Sequence, residues 1–221
     1  MNRIPRPRHR PVRPPSRAKA LRALIGAFLG ISAVGMGAEF VLDDQALVLV
    51  IGAFGASAVL LYAAPLSPFA QPWNVLVGHV GSALIGVAVY RLFGADWFSA
   101  ALAVTLAIGF MQLTASIHPP GGASALIAVL GAPGLHALGF GYALFPVGLG
   151  ALMLIAVAYV TNNIANDRRW PEFWHAPDVI ARLLPEKIVQ AAPRIDPVPA
   201  SYIRDAHGNQ QRKPGEGGGQ G

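Results

Sequence analysis

Between Leu24 and Asn166 the chain carries only five formal charges: Glu39, Asp43, Asp44, Arg91 and Asp96. A water-soluble domain of that length needs far more, since roughly a quarter of the residues in such domains are charged. Lipid must therefore be the solvent of this segment. The whole chain follows suit, with 53% hydrophobic and 13% charged residues, the latter gathered at the two ends. Arg3, Arg6, Arg8, Arg10, Arg13, Arg17, Lys19 and Arg22 form an arm without a single acid. Such an arm suits nucleic acid as well as a membrane surface, but here it abuts an apolar span and reads as a positive-inside signal. No nucleic-acid partner is expected. The first apolar run, Ala20 to Leu42, is long enough to cross a bilayer and is expected to be retained, not cleaved. Cysteine is absent, which excludes disulfides, thiolate metal sites and a cysteine nucleophile.

Turn signals cut the apolar region into six segments: Ala20 to Leu42, Ala46 to Ala64, Pro72 to Phe93, Trp97 to Ser116, Pro119 to Leu130 and Leu138 to Ile164. Tyr62, Trp73, Tyr90, Trp97 and Trp170 lie near segment ends, where aromatic rings favour the headgroup region. The fifth segment is short for a full crossing and suits a re-entrant half-helix. The expected fold is an all-α membrane protein, a compact bundle of about six short transmembrane segments, with four crossings as the alternative if two of them fail to span. Residues 1–19 are read as a basic cytoplasmic arm, 20–166 as the transmembrane domain, and 167–221 as a cytoplasmic tail, largely disordered after 193. Both termini are expected in the cytoplasm of a multi-pass inner-membrane protein, because Arg168-Arg169 follow the last segment directly. An internal echo supports the six-segment division. Gly55-Ala56-Ser57-Ala58 in the second segment returns as Gly122-Ala123-Ser124-Ala125 in the fifth, and each run is followed by an Ala-Pro pair. Three crossings per unit would make this a 3+3 inverted repeat, an arrangement common among transport proteins.

Small residues recur at helical spacing: Gly26, Gly30, Ala33 and Gly37 on the first segment, and Gly78, Ser82 and Gly86 on the third. Such stripes let helix backbones approach closely in lipid. Polar residues accompany them. Gln71, Asn74 and His79 lie on or beside the third segment, and Thr105, Gly109, Gln112 and Ser116 follow one face of the fourth. Polar groups in hydrocarbon are costly without partners, so these faces are expected to point inward, as interhelical glue or as a polar path. The strongest local motif is Ser116-Ile117-His118-Pro119-Pro120-Gly121-Gly122-Ala123-Ser124. The two prolines are preorganised for a helix start, the two glycines leave backbone N–H groups bare, and the helix dipole adds positive potential there. His118 beside them is an ionisable group whose unperturbed range lies near neutrality. The same residues also suit a tight interfacial turn.

His118-Pro119-Pro120-Gly121-Gly122-Ala123, together with Pro68-Phe69-Ala70-Gln71-Pro72-Trp73-Asn74 and Gly78-His79 upstream, resembles the HPP family of integral membrane proteins. The resemblance covers Leu21 to Asn166 and implies a multi-helix membrane domain, usually described with fewer than six spans. It also implies transport, since plant members are associated with nitrite passage across the chloroplast envelope. The cytoplasmic CBS domains that some members carry are not seen in this sequence.

The expected function is therefore passage of a small inorganic anion, with nitrite the best candidate. The expected binding residues are Asn74, His79, Gln112, Ser116, His118, Pro119, Pro120, Gly121, Gly122 and Ser124. The competing reading is a non-transporting assembly or sensory subunit whose small-residue faces pack against partners or a second copy. An enzyme is not expected, because no Ser/His/Asp set, acidic metal pair or His-Glu zinc pattern stands out in the spans. No cofactor or metal is expected, although His79 and His118 make a two-histidine site conceivable. The bilayer and a small anion are the expected partners.

Overall fold

The structure is a computed structural model that describes residues 14–39, 42, 44–164 and 169–172, apart from the side chains of 44–46, 48 and 49. Its helices begin where the sequence supplies a start. Pro72, Pro119 and Pro133 occupy the first positions of α3 (Pro72–Phe93), α5 (Pro119–Leu130) and α6 (Pro133–Leu138). There the missing N–H would be unpaired in any case. Asp96 caps α4 (Trp97–Leu113) by accepting the Ser99 N–H at 2.7 Å, and this contact holds its carboxyl below the usual carboxylate range. Two helices precede these, α1 (Arg17–Glu39) and α2 (Asp44–Ala58), and α7 (Leu149–Asn163) follows them.

The six expected segments are all helical, and α6 is a short addition ahead of the last. The second segment does not end with α2 but runs on through a π-helical turn, Val59–Ala63. α7 is entered through another, Ala143–Gly148, broken at Phe145 (φ −140°, ψ 122°) immediately before Pro146. A proline ring displaces the preceding residue from helical geometry, which accounts for the break at that position. Three stretches are long and apolar enough to cross a bilayer: Arg17–Glu39, Pro72–Phe93 and Ala143–Asn163. Val50–Ala63, Trp97–Leu113 and Pro119–Leu130 are shorter apolar helices. The outer surface is apolar as lipid requires: Leu24, Phe28, Leu106, Leu113, Leu152 and Val160 are all exposed.

Glycines set the packing. α3 lies against α4 and α5, while α1 lies against α2 and α7. A Cβ on Gly86 would meet the Ala125 carbonyl oxygen at 2.5 Å, so the backbones of α3 and α5 touch there. On α1 the buried stripe is Gly26, Gly30, Val34 and Ala38. The Tyr62 ring fills the first two positions and its hydroxyl donates to the Leu154 carbonyl at 3.1 Å. Asn162 of α7 donates to the Leu61 carbonyl at 2.9 Å, inside the π-turn.

Two groups of connections mark the two ends of the bundle. At one end Arg22 reaches the Ile164 carbonyl, the Glu172 N–H donates to Gln71, Trp73 donates to the Thr114 carbonyl, and Asn74 donates to the Ile117 carbonyl. The start of α1, the 64–71 connection, the 114–118 connection and Trp170 therefore share that end. At the other end Tyr90 stacks on His136 at 3.7 Å and Arg91 lies 5.0 Å over the Phe140 ring. Trp170, expected at the interface, is instead buried, with its backbone held by Asn163. Phe173 and Trp174, the Arg168 charge, most of the basic arm and the tail after 193 lie outside the described residues.

Candidate functional site

Four side chains from three helices meet in the interior. Ser57 comes from α2, His79 from α3, and His118 and Ser124 from the cap and second turn of α5. Ser57, His79 and His118 have no exposed surface, and Ser124 is 1% exposed. Ser57 Oγ lies 2.7 Å from His79 Nε2 and 2.9 Å from His118 Nε2. The other nitrogen of His79, Nδ1, lies 2.7 Å from Ser124 Oγ, and the other nitrogen of His118 lies 2.8 Å from the Phe69 carbonyl oxygen. The two rings approach edge to face, 4.8 Å between centroids, and the Phe54 ring closes the His79 side at 5.0 Å. Met111 Sδ of α4 accepts the His118 N–H.

Local chain geometry puts these groups there. Pro119 and Pro120 hold the start of α5 and leave His118 extended at its cap (φ −139°, ψ 99°), so the ring turns into the bundle, not along the helix. Gly78 makes room for it, because a Cβ there would lie 2.8 Å from His118 Cβ and 2.9 Å from the Ser116 carbonyl oxygen. The Pro68–Ala70 turn presents the Phe69 carbonyl.

The expected site residues divide. His79, His118 and Ser124 are brought together. Asn74 and Ser116 are buried close by in sequence but brace connections: Asn74 donates to the Ile117 carbonyl at 3.0 Å, and Ser116 Oγ lies 2.6 Å from Thr114 Oγ1. Pro119 and Pro120 act through the backbone they fix. Gly121 is not a bare donor. Its N–H donates to the His118 carbonyl at 2.8 Å, and a Cβ on it would meet the Gly78 carbonyl oxygen at 2.7 Å. Gly122 has open space, where an added Cβ would meet only Val104, at 4.0 Å. Gln112 and Thr105, expected to face inward, are exposed, and Thr105 satisfies itself on the Ala101 carbonyl. α4 instead buries Ser99, Ala100, Ala103, Ala107 and Met111, because small residues permit the closer approach.

Two participants escape a sequence reading. Ser57 stands out only as a member of the repeated Gly-Ala-Ser-Ala run, and the partner at Phe69 is a main-chain carbonyl that no side chain announces. The repeat is the available signal for the serine. Its two copies place Ser57 and Ser124 on the two ring nitrogens of one histidine.

Asn74 Oδ1 and Ser82 Oγ are buried without a protein partner. With Gly78 between them they form one stripe of α3 at four-residue intervals, beside the four-residue network. No carboxylate, lysine or arginine is buried among the described residues, and no group of three or more metal-ligating side chains occurs among them. At the end of the bundle bearing Arg17 a cleft of about 710 Å³ is lined by Lys19, Arg22, Tyr62, Pro65, Ser67 and Trp170, among others.

Comparison with known proteins agrees with the motif. Two proteins of Dictyostelium discoideum, each named only as a transmembrane protein, are similar to this chain. One is 41% identical over 154 residues, covering 68% of this chain and 49% of the relative. The other is 44% identical over 137 residues, covering 60% and 47%. The chain spans about half the length of these relatives. No solved structure matches. The family model described as HPP, transmembrane region, matches residues 12–171, and the chain belongs to that family of membrane proteins.

Proposed function

We propose that this protein passes a small inorganic anion across the membrane, with nitrite the first candidate by the family resemblance. The observation that carries the reading is the fully buried pair of imidazoles in an interior without buried formal charge among the described residues. Membrane proteins place ionisable groups in the bundle interior at sites of transport and proton transfer. A cation would call for carboxylates, and none is buried among the described residues. Hydroxyls and imidazoles that can gain a proton suit an anion. The unpartnered Asn74 and Ser82 oxygens continue the polar stripe along α3. Lys19 and Arg22 in the cleft at one end would raise the local anion concentration.

The test is flux into liposomes holding purified protein, with nitrite, nitrate and chloride offered separately. Nitrite entry well above that of protein-free liposomes is expected. Absence of flux for all three anions would overturn the reading in favour of a non-transporting membrane subunit. That alternative draws on the mutual satisfaction of the four side chains, which is also what an internal strut requires.

Orientation follows the charge. Arg17, Lys19, Arg22 and Arg169 share one end, whereas the other holds Arg91 together with Asp96, so the more basic end is assigned to the cytoplasm. The absence of cysteine makes this directly testable with single cysteines at exposed Leu66 and Ala95. In intact cells an impermeant thiol reagent should label A95C and spare L66C. Labelling of L66C alone would reverse the orientation, and equal labelling of both would break the assignment of these loops to opposite sides.

A further inference from the structure

The hydrogen-bond partners of the four side chains fix where their protons sit. The Phe69 carbonyl oxygen can only accept, so His118 Nδ1 carries the proton of their 2.8 Å bond. Neutral His118 then presents a bare Nε2, and the Ser57 hydroxyl donates to it over 2.9 Å. Ser57 has one proton, so its 2.7 Å contact with His79 requires His79 Nε2–H as donor. His79 Nδ1 is thereby bare, and the Ser124 hydroxyl donates to it over 2.7 Å. With both rings neutral one order results, in which donation runs from Ser124 through His79 and Ser57 to His118 and Phe69. Were Ser57 to donate instead to the Ala53 carbonyl, 3.5 Å away, both Nε2 atoms would have to donate and His118 would be charged.

An added proton fits this order while the contacts among the four residues persist. On His79 Nδ1 it makes an imidazolium that donates to both serine oxygens. A concerted shift then moves the Nε2 proton of His79 to Ser57 Oγ, and the former Ser57 proton to His118 Nε2. The charge now rests on His118, which donates to Ser57 and to Phe69, while His79 is neutral and carries its proton on Nδ1. Only O–H and N–H bonds exchange, and one positive charge has moved from one ring to the other. It leaves when the Phe69 bond opens and the His118 Nδ1 proton passes to a water or to the anion, His118 remaining neutral with its proton on Nε2. The path has a direction in the fold. His118 caps α5 at the end of the bundle that holds Phe69, and Ser124 lies roughly 9 Å farther along the helix at 1.5 Å per residue.

We propose that Ser124, His79, Ser57 and His118 form a proton wire, and that the anion crosses together with a proton carried along it. The coupling rests on the anion reading above; the wire does not. The groups packed against the four residues include Phe54 from α2, Met111 from α4, the Phe69 carbonyl, and Tyr142 ahead of α7, whose hydroxyl donates to the Ser124 carbonyl at 3.2 Å. Tyr142 is the one titratable side chain among these neighbours, and no buried acid or base of fixed charge holds a proton in place among the described residues. A proton on either ring would offset the charge of an anion in the interior.

Two measurements test this separately. The first is nitrogen NMR of ¹⁵N-histidine protein in bilayers, at a pH where both rings are neutral. His9, His136, His175 and His207 are replaced by glutamine so that His79 and His118 alone report. One ring protonated on Nδ1 and the other on Nε2 is expected, and the same tautomer on both would overturn the wire whatever the chain transports. The second uses liposomes with an entrapped pH dye. A nitrite gradient should acidify the lumen beyond the protein-free rate, Ser57→Ala should lower proton movement per anion about tenfold, as for one lost hydrogen-bonded link, and Ser57→Thr should retain it. Anion flux without proton movement would overturn the coupling and leave the anion reading standing. Undiminished proton movement in Ser57→Ala would overturn the wire. If no anion moves, the anion reading and the coupling fall together, and the tautomer pattern decides the wire.

Discussion

Gly121→Ala is expected to destabilise the protein in detergent by about 1–3 kcal/mol, whereas Gly122→Ala, one residue later on the same helix, should be neutral or slightly stabilising. The pair separates two explanations of the same motif. If the glycines served to bare N–H groups to an anion, a methyl on either would harm binding and neither would affect folding. The geometry gives them different tasks. A methyl on Gly121 meets the Gly78 carbonyl oxygen at 2.7 Å, and that atom belongs to the backbone of α3 and cannot rotate away. Ser82 Oγ, 3.2 Å from the same methyl, confines it on the other side. Relief requires α3 and α5 to separate, and Gly86 against the Ala125 carbonyl shows how closely the same two backbones run farther along. A methyl on Gly122 touches only Val104 at 4.0 Å, so the gain in helix propensity of up to about 1 kcal/mol is unopposed. Midpoints of thermal or denaturant unfolding, read by size-exclusion or tryptophan fluorescence, give the comparison. Equal destabilisation by both substitutions would remove the packing role assigned to Gly121.

Much of this arrangement is legible in the sequence, because membrane helices declare themselves through long uncharged runs and through the proline, glycine and aspartate residues that end them. The segment starts at Pro72 and Trp97 are those of α3 and α4, and the helix start at Pro119 follows from local chemistry alone. So does the inward turn of His79 and His118, since an imidazole facing acyl chains is costly. The face of α4 is a different case. Thr105, Gly109, Gln112 and Ser116 have polar periodicity, but a threonine can satisfy its hydroxyl on its own helix, as Thr105 does on Ala101. Gln112 lies at the helix end, where water and headgroups are near. Polarity therefore exerts little pull on that face, and the methyl-sized side chains of Ala100, Ala103 and Ala107 decide which side approaches α3 and α5. The network itself is half visible. Ser57 and Phe69 lie 61 and 49 residues from His118, and no local pattern reports a contact made by three-dimensional packing.

Because His79 and His118 share Ser57, removing them together should cost less than the sum of removing each alone. His79→Ala takes the donor from Ser57 Oγ and strands the Ser124 hydroxyl, and His118→Ala takes the acceptor of the Ser57 hydroxyl and strands the Phe69 carbonyl. A buried polar group left without a partner costs about 1–3 kcal/mol, so each single substitution should destabilise by several kcal/mol once the lost ring packing is added. The two bonds at Ser57 polarise one another and the two rings touch, so losing either ring already weakens what holds the other. The double variant counts that loss once, at the rings and at Ser57. Its hydroxyl retains the Ala53 carbonyl, 3.5 Å away, as a fallback acceptor. The expected coupling is about 0.5–3 kcal/mol. His136 supplies the control, because it stacks on Tyr90 at the opposite end and its Nε2 pairs with the Val129 carbonyl. It has no partner in common with His79, so His79→Ala and His136→Ala should add within about 0.3–0.5 kcal/mol. Unfolding free energies of the three single and two double variants complete both cycles. Additivity in the His79/His118 cycle would show that the two rings are held independently, and the shared hydroxyl would then no longer account for their approach. Coupling in that cycle with additivity in the control would place the energetic centre of the interior at Ser57, a residue that carries no charge and belongs to neither half of the His-Pro-Pro motif.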